Sequence, residues 1–173
     1  MRHDRNFIFI YAMFSCIFIV GYNYFTPLTS SSMSHQIVNM GAQEFVFIFL
    51  NNLLYTLLGF MLSCVGLSII FIIKIPIIIA MGPASAGISP IVYYFSSFTH
   101  GFCEMLIGCI LLSYTISHVS LYVKYVTGRA TKIHLLYFYK RTLQYVIPTV
   151  ILFLLISAFL EVYISNFLIQ ILL

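Results

Sequence analysis

The sequence predicts an all-α integral membrane protein with about five transmembrane helices, and three observations carry that prediction. Hydrophobic residues make up 62% of the 173-residue chain and charged residues 7%, with a mean hydropathy of +1.06. A water-soluble domain carries about 25% charged side chains. Eight Lys/Arg and four Asp/Glu cannot cover a water-facing surface. Apolar runs also recur at or beyond the roughly 20 residues that one bilayer crossing needs. These features exclude a cytosolic enzyme, a DNA-binding module, a disulfide scaffold and a disordered tail. The formal net charge of +4 is therefore no nucleic-acid signal: in membrane proteins Lys and Arg collect in cytoplasmic loops and report orientation.

The first run, 7–25, follows the charged stretch Met1-Arg2-His3-Asp4-Arg5 and closes on Tyr22, Tyr24 and Phe25, which read as an interfacial belt. No A-x-A-like cleavage site follows it, so it is expected to be a retained helix. Residues 26–43 form a polar outer loop with Pro27, serines and His35. Apolar sequence then runs over 45–73 until Lys74, longer than one crossing and therefore tilted or bent. The segment 75–95 holds Pro76, Gly82, Pro83, Gly87 and Pro90 and is expected to be interrupted or re-entrant, the least regular part of the membrane region. Within it, Gly82 to Gly87 reads as a hairpin tip. A fourth helix is expected at 97–123, a basic cytoplasmic loop at 124–141 with five Lys/Arg and no acid, and a last helix at 143–165. The whole of 1–173 reads as one membrane domain. With crossings at these positions all eight Lys/Arg fall on one side, which sets the N-terminus in and the C-terminus out.

Three of these helices carry small or polar residues at steps of three or four. They are Asn52, Thr56, Gly59, Ser63 and Gly66; Ser97, His100, Gly101, Glu104 and Gly108; and Ser157, Ala158, Glu161 and Ser165. Such stripes let helices approach closely in a bilayer, where apolar burial supplies no drive, so the three are expected to face one another. An intramembrane acid needs a partner or an aqueous pocket. At about 1.5 Å rise per residue, Asn51 and Asn52 fall about 10 Å below the outer surface, and Glu161 about 27 Å from the inner one. His100 and Glu104 open their helix on the same side, with no basic residue expected at that depth. The expectation is one polar cluster of Asn51, Asn52, His100, Glu104 and Glu161 toward the outer leaflet. Four roles are open to it: a hydrogen-bonded staple, a recognition pocket, a proton relay or a metal site. No HExxH and no third ligand favour zinc, and no cofactor is expected. Catalytic motifs such as G-x-S-x-G or S-x-x-K are lacking, so the chain reads as non-enzymatic. Cys16, Cys64, Cys103 and Cys109 form no CxxC pair and read as small buried hydrophobes.

Three motifs, LNNL at 50–53, HGFCE at 100–104 and SAFLE at 157–161, together resemble the stage II sporulation protein M family over about residues 44–165. The chain departs from that pattern at Phe71-Ile72-Ile73-Lys74-Ile75-Pro76, where the family places an Asn-Gly turn. The resemblance implies a small multi-pass membrane protein without enzymatic activity. Its members act in one of two settings. One is a membrane anchor for peptidoglycan-degrading partners in sporulation. The other is a partner in maturation, export or self-immunity of circular bacteriocins. The partners so implied are the lipid bilayer and other membrane proteins, namely an exporter, a biosynthesis partner or a cell-wall hydrolase complex. The implied location is the bacterial cytoplasmic membrane.

Overall fold

The computed structural model describes residues 2–26 and 40–172, and among them every regular element is helical. The helices are α1 (Arg2–Phe25), α2 (Ala42–Leu62), α3 (Ile69–Ala86), α4 (Pro90–Val126), α5 (Lys132–Arg141), α6 (Ile147–Phe159) and α7 (Asn166–Leu172). Two π turns, Thr142–Val146 and Leu160–Ser165, join α5, α6 and α7 into one continuous rod. Among the described residues five stretches are long and apolar enough to cross a membrane: Asn6–Phe25, Ala42–Val65, Ile69–Ala86, Pro90–Val126 and Lys132–Leu172. Most of the expected outer loop, residues 27–39, lies outside the described residues.

The expected boundaries shift at three places, each for a physical reason. The break expected at Lys74 lies earlier, where a 3₁₀ turn at Ser63–Val65 ends on Gly66 with φ of +76°, a left-handed conformation that glycine adopts without strain. Lys74 is consequently inside α3. The irregularity expected over 75–95 is confined to a short turn at Gly87–Ser89. α3 runs through both Pro76 and Pro83, and Ser89 caps α4 by accepting from the Val92 amide at 3.4 Å. Each proline lacks the N–H that would reach the carbonyl four residues back. A tyrosine hydroxyl from another helix replaces it in both cases. Tyr11 donates to the Ile72 carbonyl at 3.0 Å, and Tyr94 donates to the Ile79 carbonyl at 3.3 Å. The freed backbone acceptors are thus satisfied inside the bundle, as an apolar surround requires.

The third shift concerns the basic loop expected at 124–141. α4 continues to Val126, a tight turn with Gly128 at φ +71° reverses the chain, and α5 starts at Lys132. Lys and Arg are good helix formers, so a run of them ends the apolar stretch without ending the helix. Further along, Pro148 stands just after the π turn in which the Ile147 amide bonds back five residues to Thr142. A widened turn accommodates a missing donor there.

α4 is the central element, packed against α1, α3, α2 and α6. Phe60, Ile72, Ile107, Leu111, Tyr114, Val150 and Leu154 form the buried core around it. Among the described residues α1 packs mainly against α3 and α4 and exposes Phe9, Phe14, Ile17 and Val20. Cys103 is buried, Cys64 and Cys109 are half-buried and Cys16 is exposed, so the expectation of four buried cysteines holds for Cys103 alone.

Candidate functional site

At mid-length of α2, α3 and α4 the helices part around a cavity of about 110 Å³. Its polar lining comes from Asn51, Asn52 and Thr56 on α2, Lys74 on α3 and Glu104 on α4. Ile75, Ile78, Ile107, Leu111 and Leu154 supply apolar walls. The Lys74 ammonium lies 3.5 Å from the centroid of the Tyr55 ring, a cation–π contact that suits a charge held away from water. Thr56 spends its hydroxyl on the Asn52 carbonyl at 2.7 Å. Tyr55 and Ile78 are each exposed by more than a third, and Asn51 is exposed as well, so the cavity opens between α2 and α3.

The five polar residues expected to form one cluster do not all converge here. Asn51, Asn52 and Glu104 share the cavity. His100 is buried and turned toward the last rod, where its Nδ1 lies 2.9 Å from the Ser165 hydroxyl. Ser157 donates to the His100 carbonyl at 3.3 Å. Glu161 sits in the second π turn, outside the cavity lining. Depth changes too. α2 begins at Ala42 and α4 at Pro90, so Asn52 and His100 are each about 15 Å, and Glu104 about 21 Å, along their helices. The earlier start of α4 moves His100 and Glu104 seven residues further into the helix than the expected start at 97 would put them. A basic residue, Lys74, also lines the cavity that Glu104 lines, contrary to the expectation from sequence.

The packing glycines divide as well. A Cβ on Gly59 would come 2.8 Å from Leu111 Cδ2, so α2 and α4 do meet there closely. Gly108 instead faces Tyr11 and Ile75, on α1 and α3. Gly101 has nothing within 4 Å of a built Cβ and packs against no neighbour. Gly66, equally open, serves the turn through its positive φ. Ser63 and Ser157 are buried and bonded across helices.

A second polar network was not anticipated. His118, on α4, has its Nδ1 2.6 Å from the Ser63 hydroxyl and its Nε2 2.9 Å from the Tyr139 hydroxyl. It therefore ties the α2–α3 turn, α4 and α5 together. The Ser68 and Thr115 hydroxyls meet at 2.7 Å one turn away, and Phe138 stacks on Tyr114 with ring centroids 5.1 Å apart. Stepping 3 or 4 residues from Glu104 through Ile107, Leu111 and Tyr114 reaches His118, so the helical stripe already pointed to it.

No family model, curated protein or solved structure matches this sequence.

Proposed function

We propose that this chain is a non-catalytic, multi-pass protein of the bacterial cytoplasmic membrane. In this reading it is a membrane partner in maturation, export or self-immunity of a hydrophobic, circular-bacteriocin-like peptide. The N-terminus is in and the C-terminus out, as the distribution of Lys and Arg suggests. The three motifs that resemble stage II sporulation protein M support this reading, and the cavity between α2 and α3 carries it. Its opening beside Tyr55 and Ile78 is lined by exposed apolar surface, so a ligand dissolved in the bilayer enters without crossing water. Its volume of about 110 Å³ takes one inserted side chain rather than a whole peptide, since an apolar cavity of about 150 Å³ holds a benzene molecule. The peptide would lie along the α2–α3 face and place one residue among Asn51, Asn52, Lys74 and Glu104.

A photoreactive benzoyl-phenylalanine at Ile78, in cells sensitive to a circular bacteriocin, tests this. Expression should raise the lethal dose, and irradiation should give an adduct of chain plus peptide. Neither protection nor adduct, with the protein present in the membrane, defeats the proposal.

One observation favours a second reading, a small transporter or intramembrane enzyme using Glu104 together with His100 and Glu161. Lys74 shares the cavity with Glu104, and intramembrane ionisable groups of both signs are what ion and proton pathways use. Proton uptake into liposomes that depends on Glu104 would support it over the first. The sporulation setting, as an anchor for a peptidoglycan-remodelling complex, would instead show as co-purification with cell-wall hydrolases.

A further inference from the structure

We infer that the α4–α5 hairpin is a preorganised binding surface for anionic phospholipid headgroups of the leaflet on its own side. The observations are the charge, height and rigidity of this hairpin. Lys124, Arg129, Lys132, Lys140 and Arg141 are all exposed, and no acidic residue lies between 124 and 141. Five of the chain's eight Lys/Arg thus project from one helical hairpin.

Its height follows from α3. That helix has 18 residues, about 27 Å at the helical rise, close to the roughly 30 Å hydrocarbon core. The hydroxyl pair Ser68–Thr115 and the Ser63–His118 contact place the start of α3 level with residues 115–118 of α4. The edge of the core therefore lies near His118. From there α4 rises about 9 Å to Lys124 and about 12 Å to Val126, while the headgroup layer is about 5–8 Å deep. Lys140 and Arg141 adjoin Tyr139, which bonds His118, so they enter the layer at its base. Lys124, Arg129 and Lys132 stand at its outer rim. Tyr122 and Tyr137 are exposed at the same level, where tyrosine rings favour the interface.

Rigidity separates this surface from a loose basic loop. Leu135 is buried, Phe138 stacks on Tyr114, and His118 bonds Tyr139. The cations are therefore held at fixed heights before any lipid arrives, and less ordering accompanies binding. Exposed Leu136, less than a turn above Tyr139, offers apolar surface at the headgroup–acyl boundary, which suits a lipid more than a fully hydrated protein partner.

The test uses the full chain purified in neutral detergent with equimolar phosphatidylcholine and phosphatidylglycerol, with retained lipid counted by mass spectrometry. Phosphatidylglycerol should be retained preferentially, with the preference falling roughly fivefold for each cation removed. Lys140→Gln with Arg141→Gln should therefore cost more than tenfold. Because exposed charges are screened by salt, 0.5 M sodium chloride should erase most of the preference in the unsubstituted protein, a readout independent of any variant's folding. Equal retention of both lipids at low salt overturns the inference. So does equal retention together with tight binding of a polyglutamate peptide, which would assign the hairpin to an acidic protein segment.

Discussion

Replacing Tyr11 with Phe removes a single hydroxyl, the one donating to the Ile72 carbonyl that Pro76 leaves without its helical partner. Ile72 is fully buried, so that carbonyl has no access to water. An unpaired buried acceptor costs about 1–3 kcal/mol, while hydrogen bonds between membrane helices measured by double-mutant cycles average about 0.6 and reach about 1.7 kcal/mol. The expected loss for Tyr11→Phe is therefore about 1–1.5 kcal/mol. Pro76→Ala restores the missing N–H, and the Ile72 carbonyl regains a partner within α3. In that background Tyr11→Phe should cost little, giving a coupling of about 1 kcal/mol between residues 11 and 76. The four proteins of the cycle would be unfolded by titrating sodium dodecyl sulfate into mixed micelles and followed by far-ultraviolet circular dichroism. Any packing change from the lost oxygen is common to both backgrounds and cancels. Equal costs of Tyr11→Phe in the two backgrounds, within the roughly 0.3–0.5 kcal/mol expected of independent sites, would refute the pairing of the hydroxyl with the proline-freed carbonyl.

Other substitutions separate neighbouring roles. Gly108→Ala puts a Cβ 2.5 Å from the Tyr11 hydroxyl and 3.1 Å from Ile75 Cδ1 and should destabilise by about 1–3 kcal/mol. Gly101→Ala meets nothing within 4 Å and should be neutral or slightly stabilising in the same titration. His118→Phe removes the contacts to Ser63 and Tyr139 at a cost of about 2–3 kcal/mol. Limited trypsin digestion should then cut the hairpin at Arg129 and Lys132 faster, and unchanged cleavage would count against its tethering role. Glu104→Gln should keep membrane abundance near normal and Glu104→Leu should lower it, because the amide still offers the cavity a polar partner; equal abundance would mean that Glu104 has no structural partner there.

The number of helices and the membrane class were legible because apolar run length and charge scarcity are bulk properties that tolerate local error. Boundaries were less so. Lys74 looked like a terminator because one cation interrupts an otherwise apolar run. Yet its long stem and the Tyr55 ring let it stay within a helix, while the turn is made by Gly66, whose backbone freedom leaves no mark on hydropathy. Pro76 and Pro83 suggested disruption because a proline's effect depends on whether another helix brings a donor to the carbonyl four residues back, and Tyr11 and Tyr94 are distant in sequence. Part of the site was readable: the spacing of Asn52, Glu104 and Ser157 identified the inward faces of three helices. What spacing could not supply was how far each helix extends. With α4 starting seven residues earlier than the apolar run suggested, His100 meets Ser165 and Glu104 meets the cavity, one turn apart.

The central claim is that α2, α3 and α4 surround one largely apolar cavity that Lys74 and Glu104 both line. Charge reversal tests it most directly, through the folded yield in membranes of Lys74→Glu, Glu104→Lys and the two combined. Each single reversal places like charges in one apolar cavity and should sharply lower the yield of folded, monodisperse protein. The double reversal restores opposite signs and should recover most of that yield. A double variant no better than the worse single one would contradict the shared cavity, and with it the account of what α2, α3 and α4 are arranged to hold.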